Sequence, residues 1–197
     1  DFTATNVAGM HSVINIEENN IYVSYFSNNA KFYIVKNHPT DGNYMSLNPD
    51  YCNGANLKLT NRIMPQDNRG LWYFEAQSDG GYKIYNYSTG LSKVLGMTGS
   101  AADARASMVD PKTTSHSVVF DGTINLDGNP SYIKIKGSAN NYLNKRNDGN
   151  GGGHLALWDD AAATTDDGST FFVNEVDYTL FPDEYKFEYT PKNANTL

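Results

Sequence analysis

The sequence has little of what marks a membrane-spanning, nucleic-acid-binding or disulfide-stabilised protein. Cys52 is the single cysteine among 197 residues, so an internal disulfide is excluded and a structural thiol is expected. No segment approaches the roughly 20 apolar residues of a membrane span, which predicts a soluble chain without membrane insertion. The 15 Lys and Arg against 22 Asp and Glu give a formal net charge of −7. Because nucleic acid binding needs clustered basic residues, no nucleic acid partner is expected.

Motifs for catalysis and metal binding are missing as well. There is no Gly-x-Ser-x-Gly elbow and no phosphate-binding loop. None of the four histidines has the spacing of a metal site; they are His11, His38, His116 and His154. The paired carboxylates Asp159/Asp160 and Asp166/Asp167 are neighbours in the chain, so their side chains point apart and suit acid–base work on a glycosidic bond poorly. The sequence predicts no enzyme, no catalytic residue, no metal and no cofactor.

The chain is rich in residues that favour strands and turns. It contains 14 Tyr, 9 Phe and 17 Gly, and aromatic residues are enriched in strands whereas glycine marks turns. Helix-favouring residues are confined to 101–106 and 161–163, both of which are predicted to be loops.

One order of four short apolar runs occurs three times. The predicted strands are 32–35, 44–47, 57–59 and 71–74 in the first copy, 82–85, 93–95, 107–109 and 117–120 in the second, and 132–135, 142–143, 155–158 and 171–173 in the third. Val35, Ile84 and Ile135 are the first-strand counterparts, at intervals of 49 and 51 residues. The closing pairs are Trp72/Phe74, Val118/Phe120 and Phe171/Val173. A unit of this length cannot bury its own apolar face, but three in a ring can.

These runs divide the chain into three parts. Residues 1–30 are predicted to be an N-terminal strand extension, with a hairpin of strands at 13–16 and 21–26. Residues 31–177 form the threefold repeat domain, in which two strands of each copy close a six-stranded barrel and the other two cap it. Residues 178–197 are a C-terminal strand, at 185–189, and a tail.

This pattern resembles the β-trefoil proteins, and within them the ricin-B-type lectins, over residues 31–177. The resemblance implies an all-β fold, a β-trefoil of three four-strand repeats with pseudo-threefold symmetry and extra strands at both chain ends. It also implies a non-catalytic carbohydrate-binding module, whose partner is a glycan or oligosaccharide. Attachment to or association with a glycoside hydrolase, in an exported glycan-handling system, is the further expectation.

The resemblance places the main sugar site in the third copy. Asn144 stands where the family has a residue, usually Asp, that grips sugar hydroxyls, and Trp158 stands where an aromatic ring stacks on the sugar. The family's Gln-x-Trp signature is replaced by Ser169-Thr170-Phe171. The predicted carbohydrate-binding residues are Asn144, His154, Trp158, Asp159, Asp167 and Ser169. The first and second copies are expected to be degenerate, with Thr60 and Val109 at the stacking position and Gly96 at the second copy's gripping position.

Trp158 is also notable without the family. Strand side chains alternate between faces, so if Leu155 and Leu157 point inward, Trp158 points outward. A flat apolar ring beside Asp159 and Asp160 suits a sugar, whose C–H groups pack on the ring while its hydroxyls bond to the acceptors. The alternative is that Trp158 packs beneath the 150–153 or 161–169 loop.

Three function classes follow from the sequence. The first is the carbohydrate-binding module, expected to be secreted, periplasmic or at the cell surface. The second is a protein-interaction or protease-inhibitor β-trefoil that acts through a protruding loop, at 97–106 or 147–153. An enzyme ranks last.

Overall fold

The computed structural model describes residues 10–17, 20–27, 30–37, 43–47, 57–60, 68–113, 118–121, 123–147, 153–159 and 162–176. Within them the strands are β1 (Met10–Glu17), β2 (Asn20–Ser27), β3 (Phe32–Asn37), β4 (Asn43–Leu47), β5 (Leu57–Thr60), β6 (Trp72–Ala76), β7 (Gly81–Asn86), β8 (Val94–Met97), β9 (Ala106–Val109), β10 (Phe120–Asp121), β11 (Pro130–Tyr132), β12 (Asn141–Asn147), β13 (Gly153–Asp159) and β14 (Thr170–Val176). Short 3₁₀ helices occupy Asn68–Gly70, Tyr87–Ser92, Ala163–Thr165 and Asp167–Ser169.

Six strands close a barrel. Antiparallel pairing leads from β14 to β3, β6, β7 and β10 and returns through β11 to β14. The step from β10 to β11 is made just after β11, where Asp121 N–H donates to the Lys134 carbonyl at 2.7 Å and Phe120 faces Ile135. The prediction that two strands of each copy close the barrel is confirmed, and the structure shows that they are the first and the fourth.

Three hairpins cap this barrel, one from each copy. They are β4–β5, β8–β9 and β12–β13, the second and third strands of the repeat. A closed barrel of six strands with three hairpins in pseudo-threefold arrangement is the β-trefoil architecture, so the predicted fold is confirmed.

All three copies contribute inward-pointing side chains to the core. Its fully buried members include Val35, Met45, Trp72, Ile84, Leu95, Phe120, Ile133, Leu143, Leu155, Leu157, Phe171 and Val173. Trp72, predicted to be a core residue, has 0% exposure, and its indole N–H donates to the Met45 carbonyl at 2.7 Å. The one polar atom of the ring therefore keeps a partner inside the core.

The structure corrects the predicted register in two places. Tyr33, Tyr82 and Ser131 face Trp72, Phe120 and Phe171, which makes Ile133 rather than Ile135 the counterpart of Val35 and Ile84. Likewise Phe120, not Val118, is the counterpart of Trp72. Both errors are shifts of two residues. Such a shift keeps each side chain on the same face of the strand, so the alternating apolar pattern of the sequence does not reveal it.

The N-terminal extension forms the predicted hairpin, β1–β2, and it docks through Phe26. This ring lies 5.1 Å from Phe32 and 5.3 Å from Tyr73 between centroids, both edge-on, and is stacked on Tyr87 at 5.9 Å. We call the buried group around it the Phe26 cluster: Phe26, Phe32, Leu71, Tyr85, Tyr87 and Val94. The hairpin thus adds a second hydrophobic cluster outside the barrel core.

Several predicted features lie outside the described residues. They are the C-terminal strand at 185–189, Cys52, His38, His116, Asp160 and the 148–152 part of the second candidate loop. In the described part of the chain, no helix has both the length and the apolar character needed to cross a membrane.

Candidate functional site

The β12–β13 hairpin positions Trp158 on the face away from the core. Leu143 pairs with Leu157 across the hairpin, and both are fully buried in the core. Trp158 is the next residue along β13 and pairs with Tyr142. Because successive side chains alternate, both rings belong to the outer face, where they are half-buried. Trp158 therefore has surface available to a ligand.

Arg146 lies over the indole of Trp158. Its guanidinium carbon is 4.2 Å from the ring centroid, within the range of a cation–π contact. Arg146 Nε in turn donates to a carboxylate oxygen of Asp103 at 2.7 Å. Asp103, Arg146 and Trp158 form a chain of contacts that we call the Trp158 triad.

Asp103 reaches the triad from the second copy, because the loop between β8 and β9 is bonded to β13. Asp103 N–H donates to the Leu157 carbonyl, and Leu157 N–H donates to the Ala104 carbonyl, each at 2.9 Å. Asp103 has a φ of 65°, in the left-handed region, which Asp tolerates better than most residues. Main-chain bonds thus hold an uncommon backbone conformation that places the carboxylate beside Arg146.

Asn144, at the predicted gripping position, is 2% exposed and bonded inside the protein. Its amide nitrogen donates to Asp166 Oδ2 at 2.7 Å and to Ser169 Oγ at 2.9 Å. A Cβ on Gly168 would come within 2.8 Å of that nitrogen, so glycine leaves the room the amide occupies. In this arrangement Asn144 fastens the 162–170 segment to the hairpin.

The remaining predicted site residues differ in exposure. Ser169 is fully buried and accepts the Asn144 amide. Asp167 is exposed, and its carbonyl and that of Gly168 accept hydrogen bonds from the Asn37 amide at 3.4 and 3.0 Å. His154 is half-buried on the same strand face as Trp158, and Asp159 is exposed at the end of β13. Trp158 and Asp159 thus remain available at the surface, His154 is only partly exposed and its Nδ1 is buried, and Asn144 and Ser169 support the loop.

Sequence reasoning missed Arg146 and Asp103. Arg146 is two residues after Asn144 and so shares its strand face, a periodicity that could have placed it near Trp158. Asp103 offered no such signal, because its approach depends on packing between two copies.

The equivalent positions in the other copies differ from the third. Tyr44/Thr60 and Val94/Val109 are the pairs that correspond to Tyr142/Trp158. Val109 packs against the Phe26 cluster, of which Val94 is a member. The Phe26 cluster, to which the N-terminal extension contributes Phe26, therefore occupies the second copy's counterpart of the Trp158 surface.

No group of three or more His, Cys, Asp or Glu side chains within the described ranges is arranged to hold a metal ion. The groups that the site offers are an indole, an imidazole, a paired guanidinium and carboxylates. This set suits hydrogen bonding and stacking on a polar ligand with an apolar face.

Comparisons with known proteins identify the fold. No protein-family model matches the sequence, and no curated protein matches it. Among solved structures, the designed threefold-symmetric protein ThreeFoil matches with a TM-score of 0.56 at 14% identity, covering 72% of this chain and 96% of that one. The C-half of an earthworm R-type lectin, in complex with GalNAc, matches with a TM-score of 0.50 at 13% identity, covering 74% and 99%.

An enzyme shares the architecture over part of its length. A GlcNAcα1-4Gal-releasing endo-β-galactosidase from Clostridium perfringens matches with a TM-score of 0.54 at 15% identity, covering 77% of this chain and 34% of the enzyme. Taken together, these likenesses show a β-trefoil fold shared with R-type lectins.

Proposed function

We propose that this protein is a non-catalytic carbohydrate-binding module with one main site, centred on Trp158. The observation that carries the proposal is the half-buried indole on the outer face of β13, at the position where the resembled lectins stack a sugar ring. The apolar face of a pyranose packs on such a ring. Asp159 and His154 supply hydrogen-bonding groups around it, while Asn144, Ser169 and the Asp167 loop hold the surrounding backbone.

The shared fold supports a glycan ligand in general terms. The earthworm lectin with this architecture was solved with GalNAc bound, and the endo-β-galactosidase includes a part of this architecture. By extension we propose that the chain serves an exported glycan-handling system, attached to or associated with a glycoside hydrolase. Cell fractionation of the native host, with blotting for the protein, tests this; recovery only with cytoplasmic markers would contradict it.

The decisive experiment is a glycan array followed by titration of the retained sugars. Trp158→Ala is expected to weaken binding at least about thirtyfold, since a central aromatic contact contributes about 2 kcal/mol or more. Tyr82→Ala is a matched control, because Tyr82 is a half-buried aromatic on β7 in another copy. Far-UV circular dichroism checks both folds. If Trp158→Ala binds every retained sugar as tightly as the parent, the site assignment is wrong.

One observation favours a second function. The six residues from 98 to 103, in the loop between β8 and β9, are all exposed, and the bonds to β13 give this loop a defined shape. A fixed, exposed loop is suited to insertion into a protease cleft, the protein-interaction alternative. A protease-inhibition panel distinguishes the two, because a lectin leaves every protease uninhibited.

A further inference from the structure

The side chains of the Trp158 triad come from two copies of the repeat. Trp158 and Arg146 belong to the third copy, whereas Asp103 belongs to the second. Ala156, fully buried, lies on the same strand face between His154 and Trp158. Arg146 is paired with His154 in the hairpin register, so its side chain extends along the hairpin, past the Asn144–Ala156 pair, to reach the indole.

Arg146 is held from two sides. Its guanidinium meets the ring at 4.2 Å and Asp103 at 2.7 Å. The Arg146 side chain is 26% exposed and that of Asp103 is 62% exposed. An ion pair at this depth contributes modestly to stability, but it fixes the direction of a planar group that would otherwise sample many rotamers.

Asp103 is a firm anchor for such a contact. Two main-chain bonds join its segment to Leu157, the residue before Trp158. The Asn141 amide at the start of β12 adds a third bond, to the Ser100 carbonyl at 2.9 Å. Three hydrogen bonds therefore hold the loop and the hairpin together.

We propose that Asp103 and Arg146 are positioning residues that hold the indole of Trp158 and cover one of its faces, leaving the opposite face for a ligand. This inference rests on the proposed function, because a ring that is already fixed, with one face open, favours stacking of a sugar. The binding surface is then a composite of the second and third copies. The second copy, whose own counterpart surface is occupied by the Phe26 cluster, contributes Asp103 to the third.

Quenching of tryptophan fluorescence tests this without any sugar. The protein has two tryptophans, and Trp72 is fully buried, so a Trp158→Phe variant gives the background to subtract. Asp103→Asn and Arg146→Met are each expected to raise the acrylamide quenching constant of Trp158 about two- to fivefold. This is the factor by which the free energy of an exposed ion pair changes an equilibrium constant. Asp110→Asn is the matched control, an exposed Asp whose carboxylate accepts a hydrogen bond from the nearby Lys112 N–H.

Iodide separates positioning from general loosening of the fold. Asp103→Asn leaves a cation beside the ring, so quenching by anionic iodide should rise more than quenching by acrylamide. Arg146→Met removes the cation, so iodide should gain no advantage there. If the contact only stabilised the fold, its loss would raise quenching by iodide and quenching by acrylamide by the same factor.

The proposal is overturned if both variants keep far-UV spectra and quenching constants like those of the parent. Should one variant fail to fold, the other decides, because each variant removes one partner of the same ion pair. A failure of sugar binding would leave these results untouched, so the two hypotheses fail separately.

Discussion

Asn144 shows how the residue type at one position changes what that position can do. In the ricin-B-type lectins, which this chain resembles, an acidic residue at this position binds the sugar hydroxyls. Here the amide donates two hydrogen bonds inside the protein, to Asp166 and to Ser169. An amide nitrogen is a donor, which a carboxylate is not. The position is therefore suited to fastening an acidic loop.

Asn144→Asp is expected to destabilise the protein by about 3 kcal/mol at pH 7, because it buries a carboxylate against Asp166 without a compensating cation. Repulsion would raise the pKa of one carboxyl in the folded state above its unfolded value. Stability is then regained as pH falls and one carboxyl is protonated. Urea unfolding at pH 7 and pH 4 measures this. The control is Asn140→Asp, half-buried in the turn before β12; a loss that does not shrink at pH 4 would refute the explanation.

Tyr85 provides a second test at the residue scale. It is 5% exposed, and its hydroxyl donates to Glu75 Oε2 at 3.2 Å. Burial first, and then the charge of Glu75, raise the pKa of Tyr85 far above its ordinary value. A raised folded pKa means that the contribution of Tyr85 to stability is complete below the unfolded pKa of about 10 and is lost above it.

Tyr85→Phe should therefore cost stability at pH 8, by about 1 kcal/mol for the lost hydrogen bond. The difference in stability between the variant and the parent should shrink between pH 10 and about pH 11.5. In this range the Tyr85 hydroxyl ionises in the unfolded parent but stays protonated in the folded parent, which lowers the stability of the parent. Urea midpoints of both proteins across this range provide the comparison. A constant difference at all pH values would show that Tyr85 does not control the alkaline limb.

At the scale of elements, the N-terminal hairpin depends on one aromatic anchor. Phe26→Ala is expected to cost about 3 kcal/mol or more, because the ring is buried against Phe32, Tyr73 and Tyr87 and its loss leaves a cavity. Proteolysis should then cleave between the hairpin and β3 sooner than in the parent. Phe172→Ala, half-buried on β14, is the matched control and should cost less. Equal costs would mean that the hairpin does not dock through Phe26.

The strands were predictable because burial leaves a periodic trace in the sequence. Val35, Ile84, Trp72 and Phe171 are all fully buried, and the repeated order of the apolar runs that contain them indicated three copies. The exact register was less predictable, because Ile133 and Ile135 are equally apolar and differ only in how deeply they are buried. An alternating pattern cannot distinguish two residues on the same face.

The candidate site was predictable only in part, for a related reason. The outward direction of Trp158 follows from the alternation of β13, which the sequence contains. The burial of Asn144 and the arrival of Asp103 depend on loops from separate parts of the chain closing over the hairpin. Polar loop residues follow no period, so their contacts appear only with the tertiary structure.

At the scale of the whole molecule, pseudo-threefold symmetry is used unequally. The first copy carries Thr60 where the third has Trp158, and in the second copy the Phe26 cluster packs over Val109. The same fold that offers three equivalent surfaces thus leaves one with an available indole. Avidity from several sites in one chain is not expected, and a titration of a bound sugar should give one site per chain.

The charge of the molecule predicts which glycans the proposed site prefers. The net charge is −7, Asp103 already pairs with Arg146, and Asp159, the residue after Trp158, adds an exposed carboxylate at the end of β13. A neutral oligosaccharide retained on the array should therefore bind more tightly than its sialylated or uronate derivative. The preference should narrow as salt rises from about 0.05 M to about 0.5 M, because screening shortens the reach of surface charge to a few ångströms. Asp159→Asn should also reduce this preference for the neutral glycan at low salt. Tighter binding of the anionic member would mean that Arg146 leaves Asp103 to bind it, and that the surroundings of the indole act as a cationic site.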